Sequence, residues 1–172
     1  MLKLLKMKPC NNTKLAQGFS TILLALQLAA CASTQNTTLS IVYEHTQCGY
    51  AEPGIIALPT DKQYTQLVNR LLPFHAEPDK VALNEILSTH QVDQRLYLLA
   101  QGSKPTPGYG FTVLADKALI EDKTLYLPIR FTEPDKGMMM AQVITSPCLI
   151  LGVDKSADFQ RIEAGSLRLE IN

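Results

Sequence analysis

The stretch "TLYLPIRF", residues 124–131, predicts the fold class because its apolar and polar side chains alternate with a period of two. In an extended strand its apolar side chains share one face, while Thr124 and Arg130 point the other way. The apolar residues are Leu125, Leu127, Ile129 and Phe131. Pro128 has no amide hydrogen, so we expect its strand to lie at an edge or to turn that nitrogen away from a neighbour.

Similar alternation occurs on both sides of this stretch. It recurs in "YGFTVLA", residues 109–115, and in "LRLEI", residues 167–171, and shorter strand signals occur in "SIVYE" and "GIIAL", residues 40–44 and 54–58. The inward residues of the two alternating stretches are Tyr109, Phe111, Val113, Leu167, Leu169 and Ile171. These signals predict an antiparallel sheet of about five to seven strands with one face in solvent.

Residues 60–72 predict one main helix. Thr60 and Gln63 have capping-box spacing, and Pro73 ends the run. Its apolar face consists of Tyr64, Leu67, Val68, Leu71 and Leu72. With a second, shorter helix in residues 78–90, the pattern favours a single α+β domain over residues 39–172, with the main helix packed on the sheet.

The N-terminus is typical of an export signal. Residues 1–30 carry four lysines and no acidic residue, followed by an apolar run too short to cross a membrane permanently. The run ends in "LAAC", which resembles the lipobox of bacterial lipoproteins, so we expect cleavage before Cys31 and its acylation. The alternative is an ordinary secretory signal. Residues 31–38 then read as a flexible tether, and Ala32 favours the outer membrane, facing the periplasm.

Removing the signal changes the charge and the cysteine count. Of 16 basic residues 12 remain, against 16 acidic residues, which argues against a nucleic-acid partner.

Two cysteines remain in an oxidising compartment, and we expect Cys48 and Cys148 to form a disulfide. The alternatives are a reduced core cysteine at 148 and metal ligation by His45 and Cys48. We expect no metal site and no cofactor.

The segment "GSKPTPGYG", residues 102–110, predicts a stiff turn between two strands. Its prolines fix φ and its glycines allow positive φ. A phosphate-binding loop would be followed by a helix, whereas this segment is followed by a strand.

This turn and the strands after it resemble the C-terminal domain of PrcB-like proteins, the protease-complex stability family, over residues 92–153. The matching positions are Gly102, Lys104, Pro105, Thr106, Gly108, Tyr109, Pro134, Gly137, Thr145 and Pro147. Pro107 departs from the family's "GGY" and Cys148 from its usual tyrosine. The resemblance implies a surface accessory role, because the founding member is a lipoprotein that supports a surface protease.

Catalysis is not expected, because none of the three histidines lies in a recognisable nucleophile–base pattern. Candidate binding residues are Lys104, Thr106, Gly108 and Tyr109 on the turn and the three methionines Met138, Met139 and Met140. We therefore predict a lipid-anchored periplasmic module for protein interaction or assembly, which supports a protease or envelope complex. The alternative is a small-ligand or cell-wall binding lipoprotein, with a hydrolase third.

Overall fold

A computed structural model describes residues 34–58, 61–71, 85, 89–90 and 92–171. Its strands and single α-helix with assigned bounds are β1 (Gln35–His45), β2 (Pro53–Ala57), α1 (Asp61–Leu71), β3 (Gln94–Gln101), β4 (Gly110–Val113), β5 (Lys117–Glu121), β6 (Thr124–Tyr126), β7 (Ile129–Thr132), β8 (Cys148–Asp154), β9 (Arg161–Ala164) and β10 (Leu167–Glu170). The predicted signal peptide, Cys31 and most of the predicted second helix lie outside the described residues. Within the described part, no helix is both long enough and apolar enough to cross a membrane.

Eight strands form one sheet in the order β10-β9-β6-β5-β1-β8-β3-β2, and β4 pairs with β7 in a separate two-stranded sheet. All pairs are antiparallel except β6 with β9. The outermost strands β10 and β2 lie against each other without being hydrogen-bonded neighbours. The large sheet therefore almost closes into a barrel, with its main core inside.

The predicted α+β class is wrong, because the described residues are nearly all β and the sheet covers its own apolar face. The inner core draws on both sheets and includes Leu39, Leu99, Phe111 and Ile162. Helix α1 does not cover this face. It contributes Leu67 to a smaller outer cluster formed by β1, β3 and β8.

The strand number and two boundaries also differ from the predictions. The described residues form ten strands, where five to seven were expected. The stretch 124–131 is two strands, because the chain leaves the large sheet after Tyr126 and pairs with β4 from Ile129 onward. Pro128 lies between them, and its carbonyl accepts a hydrogen bond from the Leu114 amide at 2.8 Å. Strand β1 begins at Gln35, so the second half of the predicted tether is paired strand.

Most of the inward side chains of the strands are those that the alternation predicted, but Tyr109 precedes β4 and does not belong to the inner core. Leu125, Leu127 and Ile129 are buried in the inner core. Leu167, Leu169 and Ile171 pack against it from the C-terminus. Local period-two patterning therefore identified the buried face even where the strand bounds differed.

Candidate functional site

Two connections meet at one end of the fold: the glycine turn, residues 102–109 between β3 and β4, and the methionine loop, residues 133–147 between β7 and β8. Lys104 and Thr145 join them by a pair of backbone hydrogen bonds of 2.8 and 2.9 Å. The Thr145 hydroxyl also donates to the Thr106 carbonyl at 3.0 Å. The two connections thus form one continuous surface, which we call the turn–methionine surface.

The glycine turn and the methionine loop also contact each other at Gly108. Its φ is +93°, and a Cβ built there would lie 3.0 Å from Pro134 Cβ and 3.2 Å from Met140 Cε. Glycine is favoured at this position for both reasons, since a side chain would be strained by the positive φ and would require Pro134 or Met140 to shift by a few tenths of an ångström. Met140 is half-buried beside Gly108, whereas its two preceding neighbours extend into solvent.

The methionine loop exposes a run of large apolar side chains. Met138 is 61% exposed and Met139 is fully exposed, so neither fills a gap in the core. Val143 and Ile144 are also exposed. These residues lie outside any strand, so the alternation that would place successive methionines on opposite faces does not apply to them. Flexible methionine and branched aliphatic side chains suit contact with another protein.

The base of this surface is fixed by the predicted disulfide between Cys48 and Cys148. Both cysteines are fully buried, and their Cα atoms are 5.9 Å apart. Ser146, at the end of the methionine loop, accepts hydrogen bonds on its hydroxyl from the amides of Cys48 and Gly49, at 3.0 and 2.8 Å. The C-terminal end of the methionine loop is therefore anchored next to the disulfide.

Polar contacts also hold the exposed part of the turn–methionine surface in place. The Gln47 side-chain amide donates to the Ile144 carbonyl at 2.7 Å. On the glycine turn the Lys104 ammonium lies 5.1 Å from the centre of the Tyr109 ring, within range of a cation–π contact. The turn–methionine surface thus combines exposed apolar side chains with one cation over an aromatic ring.

Of the predicted binding residues on the loop, Met140 lies against the turn at Gly108, and Met138 and Met139 precede it on the same loop. Sequence reasoning missed Val143 and Ile144 as part of this surface. The only signal for them was the unusually apolar segment "MMMAQVI", residues 138–144, next to turn residues. Among the described residues no three His, Cys, Asp or Glu side chains are grouped as metal ligands would be.

No curated protein and no solved structure shows significant similarity to the chain. One family model does match, that described as PrcB C-terminal, and it covers residues 96–154. The matched segment runs from β3 to the end of β8 and contains both the glycine turn and the methionine loop. Over these residues the chain is similar to the PrcB C-terminal family.

Proposed function

We infer that this chain is a protein-interaction module which supports the stability or assembly of a protease or other envelope complex, and that the turn–methionine surface is its contact site. The exposed apolar run of the methionine loop carries the proposal. Met139 is fully exposed, and it extends from a loop fastened at Gly108, Thr145 and Ser146. Solvent exposure of such side chains on an anchored loop is explained by a partner that covers them.

The family match supports the same proposal, because the matched residues include this surface and the family that this segment resembles is the protease-complex stability family. The partner that we propose is a folded protein. A pre-anchored loop loses little conformational entropy when it binds, so a small apolar surface suffices for specific contact.

The N-terminal pattern supports the location of the module. A basic segment, an apolar run and small residues before Cys31 favour export and acylation of that cysteine. In the proposal the acyl chains hold the domain on the outer membrane, facing the periplasm, while the strand β1 begins four residues after the anchor. The turn–methionine surface is then presented to envelope proteins.

A photo-crosslinking amino acid at position 139, in the full chain in native envelopes, tests the contact site. We expect a discrete protein adduct that is identified by mass spectrometry. The matched control is the same probe at Leu114, which is 59% exposed but lies outside the surface. Equal adducts from both positions, or peptidoglycan fragments as the sole adduct at 139, would contradict the proposal.

A further inference from the structure

A cavity of about 550 Å³ opens where β2 ends before its neighbour β3 does. Ala57, the last residue of β2, pairs with Tyr97, and the Leu58 amide donates to the Leu96 carbonyl at 2.9 Å. The first residues of β3 extend past this point, and the end of β10 forms the facing wall. The incomplete closure of the sheet therefore leaves an opening of the size that small ligands occupy in proteins.

Arg95 supplies positive charge to this cavity. Its guanidinium lies 4.3 Å from the centre of the Phe159 ring, and Nη2 donates to the Ala157 carbonyl. Its Nε is buried without a hydrogen-bond partner. Of the described carboxylates none is ion-paired with Arg95. Asp154 is within electrostatic range, but it is exposed and accepts hydrogen bonds from the Ser156 amide and hydroxyl.

Two of the three charged side chains in the described lining are cations. Lys155 is a second cation of the lining, and its ammonium donates to the Val92 carbonyl at 2.8 Å. Glu170 is the acidic residue among the described lining residues, and its carboxylate accepts a hydrogen bond from Arg161 Nε at 2.5 Å. The charge of Glu170 is thus compensated outside the cavity, and an anionic ligand group is favoured inside it.

The remaining walls are mostly aliphatic. Leu96, Leu169 and Ile171 line the cavity, and the last two pack against the inner core. Gln94 is polar, but its Oε1 accepts from the Ser40 hydroxyl at 2.7 Å. An unbranched apolar chain suits these aliphatic walls, because it brings no amide group that would need a hydrogen-bond partner there.

We propose that this cavity binds a fatty-acid-type carboxylate, with the carboxylate at Arg95 and Lys155 and the alkyl chain against Leu169 and Ile171. The site goes beyond the proposed function, because it shares no residue with the turn–methionine surface. Arg95 suits this role, since a guanidinium held by aromatic stacking presents its remaining N–H groups to a carboxylate at little entropic cost.

Photoaffinity labelling of the full chain in membranes with a diazirine-bearing decanoate tests the site. We expect labelled peptides to map to residues 57–58, 94–97 and 169–171. Unlabelled decanoate should compete at concentrations about tenfold lower than decanol, which lacks the charge. Lys155→Met and Arg95→Gln should each reduce labelling about tenfold, while Arg130→Gln, an exposed cation elsewhere, should leave it unchanged.

Leu169→Trp keeps both cations and places a bulkier side chain in the cavity, so it should reduce labelling even if Arg95→Gln fails to fold. Labelling that is undiminished in Leu169→Trp, or equal competition by decanol and decanoate, would overturn the proposal. Stronger competition by N-acetyl-dileucine, a peptide carboxylate, than by decanoate would overturn the fatty-acid assignment. A turn–methionine surface that fails to crosslink would leave these outcomes unaffected.

Discussion

Cys48 and Cys148 are 100 residues apart in sequence, and their disulfide lies directly beneath the methionine loop. It joins the segment after β1 to the first residue of β8, where Ser146 already binds the Cys48 amide. The covalent link and the hydrogen bonds therefore fasten the same end of the loop.

Replacing both cysteines, in Cys48→Ala/Cys148→Ala, should lower the free energy of unfolding by roughly 4 to 5 kcal/mol, because a closed loop of this length restricts the unfolded chain. Urea denaturation of the full chain in detergent measures the change. Ser146→Ala is the control, since it keeps the disulfide and loses only hydrogen bonds, at about 1–2 kcal/mol. A loss below about 1 kcal/mol in the double variant would contradict the stabilising role.

Gly108 and Gly137 form a matched pair for testing the contact between the two connections. Both have positive φ, +93° and +94°, but nothing lies within 4 Å of a Cβ at Gly137. Gly137→Ala should therefore show backbone strain alone, roughly 1–2 kcal/mol. Gly108→Ala should lose roughly 1–3 kcal/mol more, because its methyl group meets Pro134 and Met140. Equal losses in thermal or urea unfolding would show that the two connections do not pack at this point.

The buried faces of the strands could be predicted because alternation is a local property of the sequence. The closure of the sheet could not be predicted, since it depends on pairings between segments that are distant in sequence. Strand β1 pairs with β5 through its first residues and with β8 through its last, with a bulge between Ile41 and Tyr43. Nothing in the local pattern of β1 indicates that it has two partners on opposite sides. A helix over the sheet was therefore expected where the sheet covers itself.

The turn residues of the candidate site were predictable from their glycines, prolines and family resemblance. The position of Val143 and Ile144 was not predictable, because residues 141–144 have no regular period. Their exposure depends on how the residues next to them are anchored. Thr145 pairs with Lys104, and Ser146 binds the segment after β1. Both anchors join residues far apart in sequence.

Tyr97 should make stability depend on alkaline pH. Burial raises the pKa of its phenol above the ordinary value of 10.0, and the nearby Arg95 guanidinium opposes this less strongly. The fold therefore favours the neutral phenol, and this stabilisation is present below about pH 10 and lost as pH rises through the folded pKa. Tyr97→Phe should show a smaller fall in unfolding free energy between about pH 9 and pH 11 than the unmodified chain.

Tyr50 provides the comparison for this measurement, because burial also raises its pKa and the Arg70 guanidinium opposes the shift. Tyr50→Phe should reduce the alkaline loss as well, and the double variant should reduce it further. An alkaline loss that is the same in Tyr97→Phe and the unmodified chain would show that the Tyr97 phenol does not contribute.

Cys31→Ser should release the protein from the membrane into the soluble periplasmic fraction. Each buried methylene of an acyl chain contributes about 0.8 kcal/mol of membrane binding, so removing the acylated residue removes the proposed anchor. Fractionation and mass spectrometry of the N-terminal peptide measure this. Cys10→Ser is the control, because it lies within the segment expected to be cleaved, and it should leave acylation unchanged. A Cys31→Ser protein that remains membrane-bound, together with an unacylated N-terminal peptide in the unmodified chain, would exclude lipid anchoring.

Met139→Ser/Ile144→Ser should weaken partner binding roughly tenfold while changing the free energy of unfolding by less than about 0.5 kcal/mol. The reason is that both side chains are exposed, at 102% and 70%, and contribute little to the core. The yield of the adduct from a photo-crosslinker at position 138 measures binding, and urea unfolding measures stability. Ile41→Ser, an exposed apolar residue of β1 at 55%, is the matched control and should leave the adduct unchanged. If the control reduces the adduct as much as the double substitution does, the contact is general surface hydrophobicity and not the turn–methionine surface.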